Sequence, residues 1–217
     1  MNVVIAGGHG QIALRLARVL AARGDTVLSL IRNPDHGDDV RGSGAGPVVC
    51  DLERASVDEL ADHLTGADAV VFAAGAGPGS GKARKDTVDR AASVLLAEAA
   101  ERAGVPRFVQ ISAMGADSDP SPGLEEVWGA YLKAKGEAED DLRARALDWV
   151  ILRPGRLTDD AGTGMVRLGE PMLGRGEVTR DDTALVVAGL LAAPGVTRRT
   201  LELLNGDVPV SEAVAAL

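Results

Sequence analysis

Residues 2–24, "NVVIAGGHGQIALRLARVLAARG", decide the fold. Asn2 to Ala6 is a short apolar run rich in β-branched residues, which predicts a strand. A glycine cluster follows at once, with the spacing Gly7-x-x-Gly10-x-x-Ala13. Residues 10–23 are rich in alanine and leucine with helical periodicity, and Gly24 supplies the stop. Strand, glycine turn and helix in that order open a βαβ unit.

The same alternation continues outward. Residues 25–31, 47–50, 68–74, 107–112 and 148–153 read as strands, and 55–64, 85–103 and 125–146 as helices. The strands are nearly continuous apolar runs, as parallel strands covered on both faces should be. The pattern predicts an α/β fold, a doubly wound parallel sheet with helices on both faces. The connection after strand two, "RNPDHGDDVRGSGAG", has little periodicity and is expected to be mostly loop. After Arg153 the chain turns glycine-rich, then gives a helix (181–193), a strand (200–204), an Asn205-Gly206 turn and a terminal helix. One domain, 1–217, is expected, with 154–217 forming a small lobe on the substrate side.

Composition narrows the function classes. Of 217 residues, 46% are hydrophobic and only 2% aromatic, so the core must come from Ala, Val, Leu and Ile. The net charge of -9 argues against nucleic-acid binding, which needs a basic face. The single Cys50 rules out an internal disulfide and fits a reducing compartment. No apolar run reaches the roughly 18–20 residues of a membrane span. A cytoplasmic protein with no membrane association is expected.

The glycine cluster has a physical use. A tight turn and a close backbone approach to a pyrophosphate need residues without a Cβ, and the helix N-terminus then offers free N–H groups. Its position between a strand and a helix points to a bound dinucleotide. Strand two selects which one. A carboxylate at its end would bond the ribose 2′-hydroxyl of NAD, but Arg32 stands there, a fork suited to a 2′-phosphate. NADP is therefore expected, ahead of NAD. Asp51 is read either as a partner for the adenine amino group or as a helix cap, a role Ser56 fits better.

"GGHGQIA", "LIRNP", "VVCDLE", "VVFAAGAG", "AGVPRFVQISAMGAD", "YLKAKGEAED", "LDWVILRPGRLTDD", "VTRDDTALVVAGLL" and "LELLNGDVPV" carry a resemblance that spans nearly the whole chain. The sequence resembles the atypical short-chain dehydrogenase/reductase family, in its small NmrA-like and flavin-reductase-like group related to NAD-dependent epimerase/dehydratases. The resemblance implies a Rossmann-like fold. It implies that Gly7, Gly8, His9, Gly10, Gln11 and Ile12 wrap the pyrophosphate, that Arg32 holds the 2′-phosphate, and that Asp51 and Leu52 flank the adenine. Ala73, Ala74 and Gly75 would lie under the riboses, and the backbone of Pro154 and Gly155 would approach the nicotinamide.

It also implies a catalytic set of Ser112, Tyr131 and Lys135. The lysine cation, sharing a helix face with the tyrosine, would lower the phenol's pKa so that it trades a proton with substrate, while Ser112 holds the substrate oxygen. The function implied is hydride transfer between NADPH and a small carbonyl, quinone or flavin-like acceptor. The alternatives are a non-catalytic NADP(H) sensor acting on a protein partner and, third, an NAD-dependent epimerase. A monomer or homodimer is implied.

The remaining features read as structural. His9, His36 and His63 show no metal-ligand spacing with carboxylates or Cys50, so no metal site is expected. Asp89 reads as an acid complementing a helix N-terminus. Trp128, Met114, Met165 and Met172 are candidates to line an apolar pocket at the nicotinamide end.

Overall fold

β1 (Asn2–Ala6) is the hub of the sheet, pairing in parallel with β2 (Thr26–Ile31) on one side and β4 (Ala69–Phe72) on the other. The computed structural model describes residues 1–77, 79–117 and 126–217. Alternate residues of β1 serve opposite faces, as a strand's period of two requires. Val3 and Ile5 join a core with α1 (Gln11–Ala22), while Val4 and Ala6 join another with α3 (Val57–Leu64) and α5 (Ala92–Ala103). The few core aromatics, Phe72, Phe108 and Trp149, all sit in the second layer.

Outward from β2 lies β3 (Gly46–Val49). Outward from β4 lie β5 (Arg107–Ile111), β6 (Asp148–Pro154) and β10 (Arg199–Asn205), all parallel. The order 3-2-1-4-5-6 is that of the Rossmann sheet, and it reverses direction between β1 and β4, opening a crevice at their carboxyl ends. Strands two to six match the expected stretches to within two residues at each end. Among the described residues no helix is long and apolar enough to cross a membrane.

One expectation is corrected. The crossover at 32–46 is not mostly loop: Pro34–His36 forms one 3-10 turn and α2 (Gly37–Gly42) follows. Asn33 caps the turn by accepting from the Asp35 N–H at 3.1 Å. Val40 alone supplies the buried apolar contact, too little to show as periodicity.

The segment 154–217 is joined to the main sheet. β10 extends the main sheet, β8 (Met165–Gly169) pairs antiparallel with it, and β11 (Val208–Pro209) closes the edge. α7 (Arg180–Leu191) packs on α1, with α8 (Val210–Ala215) beside it. Only the parallel pair of β7 (Arg156–Thr158) and β9 (Glu177–Thr179) forms a separate ribbon.

Arg107 ties this tail down. It is 7% exposed and donates to the carbonyl of Leu190 in the last turn of α7 and to that of Val196 beyond it, each at 2.6 Å. A guanidinium satisfies helix-end carbonyls that have no intrahelical partner. Arg107→Leu is therefore expected to lower the unfolding free energy by about 2–4 kcal/mol, because buried acceptors are left without donors. Urea denaturation measures this, and a change below about 0.5 kcal/mol would show that the cap contributes nothing.

Candidate functional site

The glycine turn forms the floor of the crevice. Gly7 has φ +81°, and a Cβ there would lie 2.5 Å from the Cα of Ala74. A Cβ on Gly8 would lie 2.4 Å from that of Ser29. Both positions must therefore be glycine for the turn to lie against the ends of β4 and β2. Gly10 begins α1 with no side chain capping it, and the first helical bond runs from the Leu14 N–H to the Gly10 carbonyl at 3.0 Å. The N–H groups of Gln11, Ile12 and Ala13 precede that bond, and no acidic residue stands in the first turn to meet them. Such a terminus suits an anion.

A groove of about 350 Å³ runs from this turn across the strand ends. It brings together Gly7 to Gly10 after β1, Arg32 after β2, Asp51 and Leu52 after β3, and Ala73 to Gly75 after β4. A second hollow, about 370 Å³, lies between α1 and α2 and takes in Gln11, Leu14, Arg15, Asp38 and Asp39. It is slightly larger but touches no strand end, and the groove is the candidate site on topological grounds. Gln11 opens toward this outer hollow, where its side chain accepts from Arg15 at 2.7 Å, and Ile12 is not among the groove's walls.

At the β2–β3 end, Arg32 Nη1 donates to Glu53 Oε2 at 3.2 Å. Asp51 faces the groove and its carboxylate accepts from the Glu53 N–H at 3.1 Å, while Ser56 caps α3 by accepting from the Glu59 N–H. The imidazoles of His9 and His36 stack, with centroids 3.6 Å apart, at the rim.

Cys50, Glu59 and His63 do converge, their ligand atoms all within 4.8 Å of one another, although chain spacing gave no sign of it. The end of β3 brings Cys50 to one face of α3. Burial and the neighbouring Glu59 and Asp51 push the thiol up to about 11, so it is protonated at neutral pH.

The residues implied to be catalytic sit among buried charges at the ends of β5 and β6. A seven-residue π-helix, Lys85–Ala91, precedes α5 and turns Lys85 and Asp89 inward toward α6 (Glu126–Ala144). Lys135 is buried and its ammonium lies 3.3 Å from the Asp89 carboxylate, also donating to the Ile111 carbonyl at 3.2 Å. Asp89 in turn accepts from the Ala76 N–H at 3.2 Å, at the end of the groove. Burial lowers the Lys135 pKa, against the pull of Asp89.

Tyr131 is half-buried, with the Lys85 ammonium 5.1 Å and that of Lys135 5.8 Å from its ring centre. Burial, with the Asp89 charge behind it, raises the phenol above its ordinary value. The expectation that Lys135 lowers it is thus corrected: the lysine's charge is spent on Asp89, and desolvation decides the sign.

Ser112 is also engaged. Its hydroxyl donates to Glu139 Oε1 at 2.5 Å, inside a network in which Arg153 and Arg143 hold the same carboxylate and Arg153 also meets Asp117 at 2.7 Å. Pro154 is buried, and Gly155 lies under Gly176 and Leu204, where a Cβ would come within 2.6 Å of both. Neither lines the groove, nor do Ser112, Tyr131 and Lys135. Met172 is 94% exposed and lines no apolar pocket.

The family model described as NAD(P)H-binding matches residues 7–194 of this chain. The chain belongs to this NAD(P)H-binding family. Among its relatives, "Uncharacterized sugar epimerase YhfK" of Bacillus subtilis is 33% identical, with all of both chains covered. A solved "putative NAD-dependent epimerase/dehydratase" from Bacillus halodurans is 33% identical over the whole of both chains, with a TM-score of 0.92. The "oxidoreductase ylbE" from Lactococcus lactis is 25% identical, covering all of this chain and 96% of its own, with a TM-score of 0.87. The residues of this NAD(P)H-binding protein that sequence reading passed over are Glu53, Glu139 and Arg153, while Arg84, Lys85 and Asp89 read only as a helix start. Glu139 had a signal, since it sits four places after Lys135 on the buried stripe of Leu132, Ala138 and Leu142. Asp89 had none, because an α-helical count does not place it under Lys135.

The only tyrosine makes its state measurable. Absorbance at 295 nm should stay flat through pH 10, where a free phenol is about half ionised. A raised folded pKa leaves its share of stability intact below the unfolded value and removes it as pH climbs through the folded one. A titration centred near 10 in the folded protein would contradict the burial described here.

Proposed function

We propose that the protein is an NADP(H)-dependent oxidoreductase that reduces a small conjugated acceptor of the quinone or flavin type. The observation that supports it most is the groove, which gathers an uncapped helix N-terminus, a glycine-rich floor and Arg32. The residues present fit the group. The Gly7–Gly10 turn and the α1 terminus would take the pyrophosphate, Asp51 and Leu52 the adenine, and Arg32 the 2′-phosphate. When bound, the reduced nicotinamide supplies a hydride, and the acceptor takes a proton as well.

A conjugated acceptor is favoured over an isolated carbonyl because this chain holds its polar groups away from general-acid work. The Tyr131 phenol is a weaker acid than usual, the Ser112 hydroxyl donates its hydrogen bond to Glu139, and Lys135 is paired with Asp89. A quinone or flavin needs positioning and solvent protons more than a protein acid. The epimerase names of two relatives imply a retained NAD, to which an arginine at the end of β2 is poorly suited.

The same internal pairings favour one second reading, a non-catalytic NADP(H)-binding module that senses cofactor redox state. NADPH oxidation followed at 340 nm with a quinone acceptor separates the two. The reductase reading expects turnover, with Tyr131→Phe changing kcat by less than about tenfold; a loss of about a hundredfold or more would make the phenol a true proton donor. Absence of turnover, together with unequal affinities for NADPH and NADP⁺, would transfer the assignment to the sensor.

A further inference from the structure

Glu53 is clasped from both sides of the groove. Arg84, on the short helical turn α4 (Lys82–Arg84), donates to Glu53 Oε2 at 2.8 Å, and Arg32 donates to the same oxygen at 3.2 Å. The Thr87 hydroxyl donates to the other oxygen at 2.6 Å. The two arginines stand on different walls, one after β2 and one ahead of the π-helix, yet they converge on one point. All three side chains that meet there, Arg32, Glu53 and Arg84, line the groove.

We propose that Arg84 is a second guanidinium for the 2′-phosphate of the dinucleotide, and that Glu53 competes with that phosphate for both arginines. The inference rests on the NADP reading of the groove and names how its specificity is set. Two guanidiniums aimed at one carboxylate oxygen already form an anion site, with the anion supplied by the chain itself. A phosphate monoester near neutral pH carries almost two charges and several acceptor oxygens, against the single charge of Glu53. It therefore displaces the carboxylate from the arginines, and Thr87 keeps a hold on the displaced side chain.

The geometry also fixes the role of charge. The side chains of Arg32 and Arg84 are 56% and 41% exposed, that of Glu53 24%. The Thr87 hydrogen bond and the two arginines hold the Glu53 carboxyl below its usual range, so the competitor is present throughout the neutral range. Preference for NADP over NAD is then a difference between two arginine–anion contacts and one carboxylate that opposes them. Without Arg84 the phosphate would keep a single guanidinium beside a carboxylate, which is weak discrimination.

The test is a fluorescence titration of the full chain with NADPH and with NADH, for wild type, Arg84→Met and Glu53→Gln. Wild type should favour NADPH. Arg84→Met should cut that preference by about tenfold while NADH affinity stays within about twofold, since one charge-assisted contact is lost. Glu53→Gln, which keeps size and removes charge, should tighten NADPH by several-fold, with NADH unchanged; the gain should shrink as salt rises to about 0.5 M.

An Arg84→Met protein with the wild-type NADPH to NADH ratio, or with both affinities reduced alike, would overturn the proposal. So would a Glu53→Gln protein that binds NADPH more weakly, because Glu53 would then be an organiser of the arginines and not their competitor. Failure of wild type to bind either dinucleotide would bring down the cofactor reading itself, an outcome distinct from either of these.

Discussion

The backbone of Ala74 occupies the space that a side chain on Gly7 would need. That close approach lets the turn after β1 lie flat across the ends of its two neighbours. The helix it leads into then begins at the crevice between β1 and β4 with its N–H groups unspent. Had the turn carried a Cβ at Gly7 or Gly8, the loop would stand off from β4 or β2, and the groove would lose its floor. The sheet order supplies the place for the site, and two missing methyl groups supply its depth.

The buried charges follow from what surrounds that floor. An ion pair taken out of water is costly unless geometry and extra hydrogen bonds compensate for desolvation, and both pairs here have such support. Asp89 meets Lys135 and the Ala76 N–H, and Glu139 is held by Ser112 and two arginines. These pairs lock π-helix, α6, β5 and β6 together beneath the strand ends. They also tie Ser112 and Lys135 into that framework through Glu139 and Asp89. A familiar spacing of residue types is thus compatible with a different electrostatic outcome.

Much of the fold could be read from the chain because its signals are local. Apolar runs mark the parallel strands of the main sheet, and Gly24, Gly66 and Gly104 stand after helices, each with positive φ. The glycine turn, Arg32, Asp51 and the Ala73–Gly75 stretch were legible for the same reason: each follows a strand, and parallel strands bring their carboxyl ends to one edge. What was not legible depends on partners far apart in sequence. Arg107 finds its acceptors more than eighty residues on, and no periodicity announces a helix cap. Cys50 and His63 meet because a strand ends over a helix face. The sign of the Tyr131 shift is set by burial against elements distant in sequence, with Asp89, turned inward by the π-helix, adding to it. α2 was missed because a single valine anchors it.

That π-helix has a consequence for how this protein can vary. A π turn holds one residue more than the α turn it replaces, so Lys85–Ala91 behaves as an α-helix carrying an insertion. Deleting one residue anywhere in that span would restore the ordinary ladder and swing everything before it by about 100° around the helix axis. Arg84 would leave the wall it now forms, with every side chain chemically intact. The groove's far wall is therefore specified by the number of residues in the span as much as by their kind. Drift by substitution and drift by deletion would act on this protein in different ways: the first would adjust the strength of contacts, the second would erase the wall in a single step.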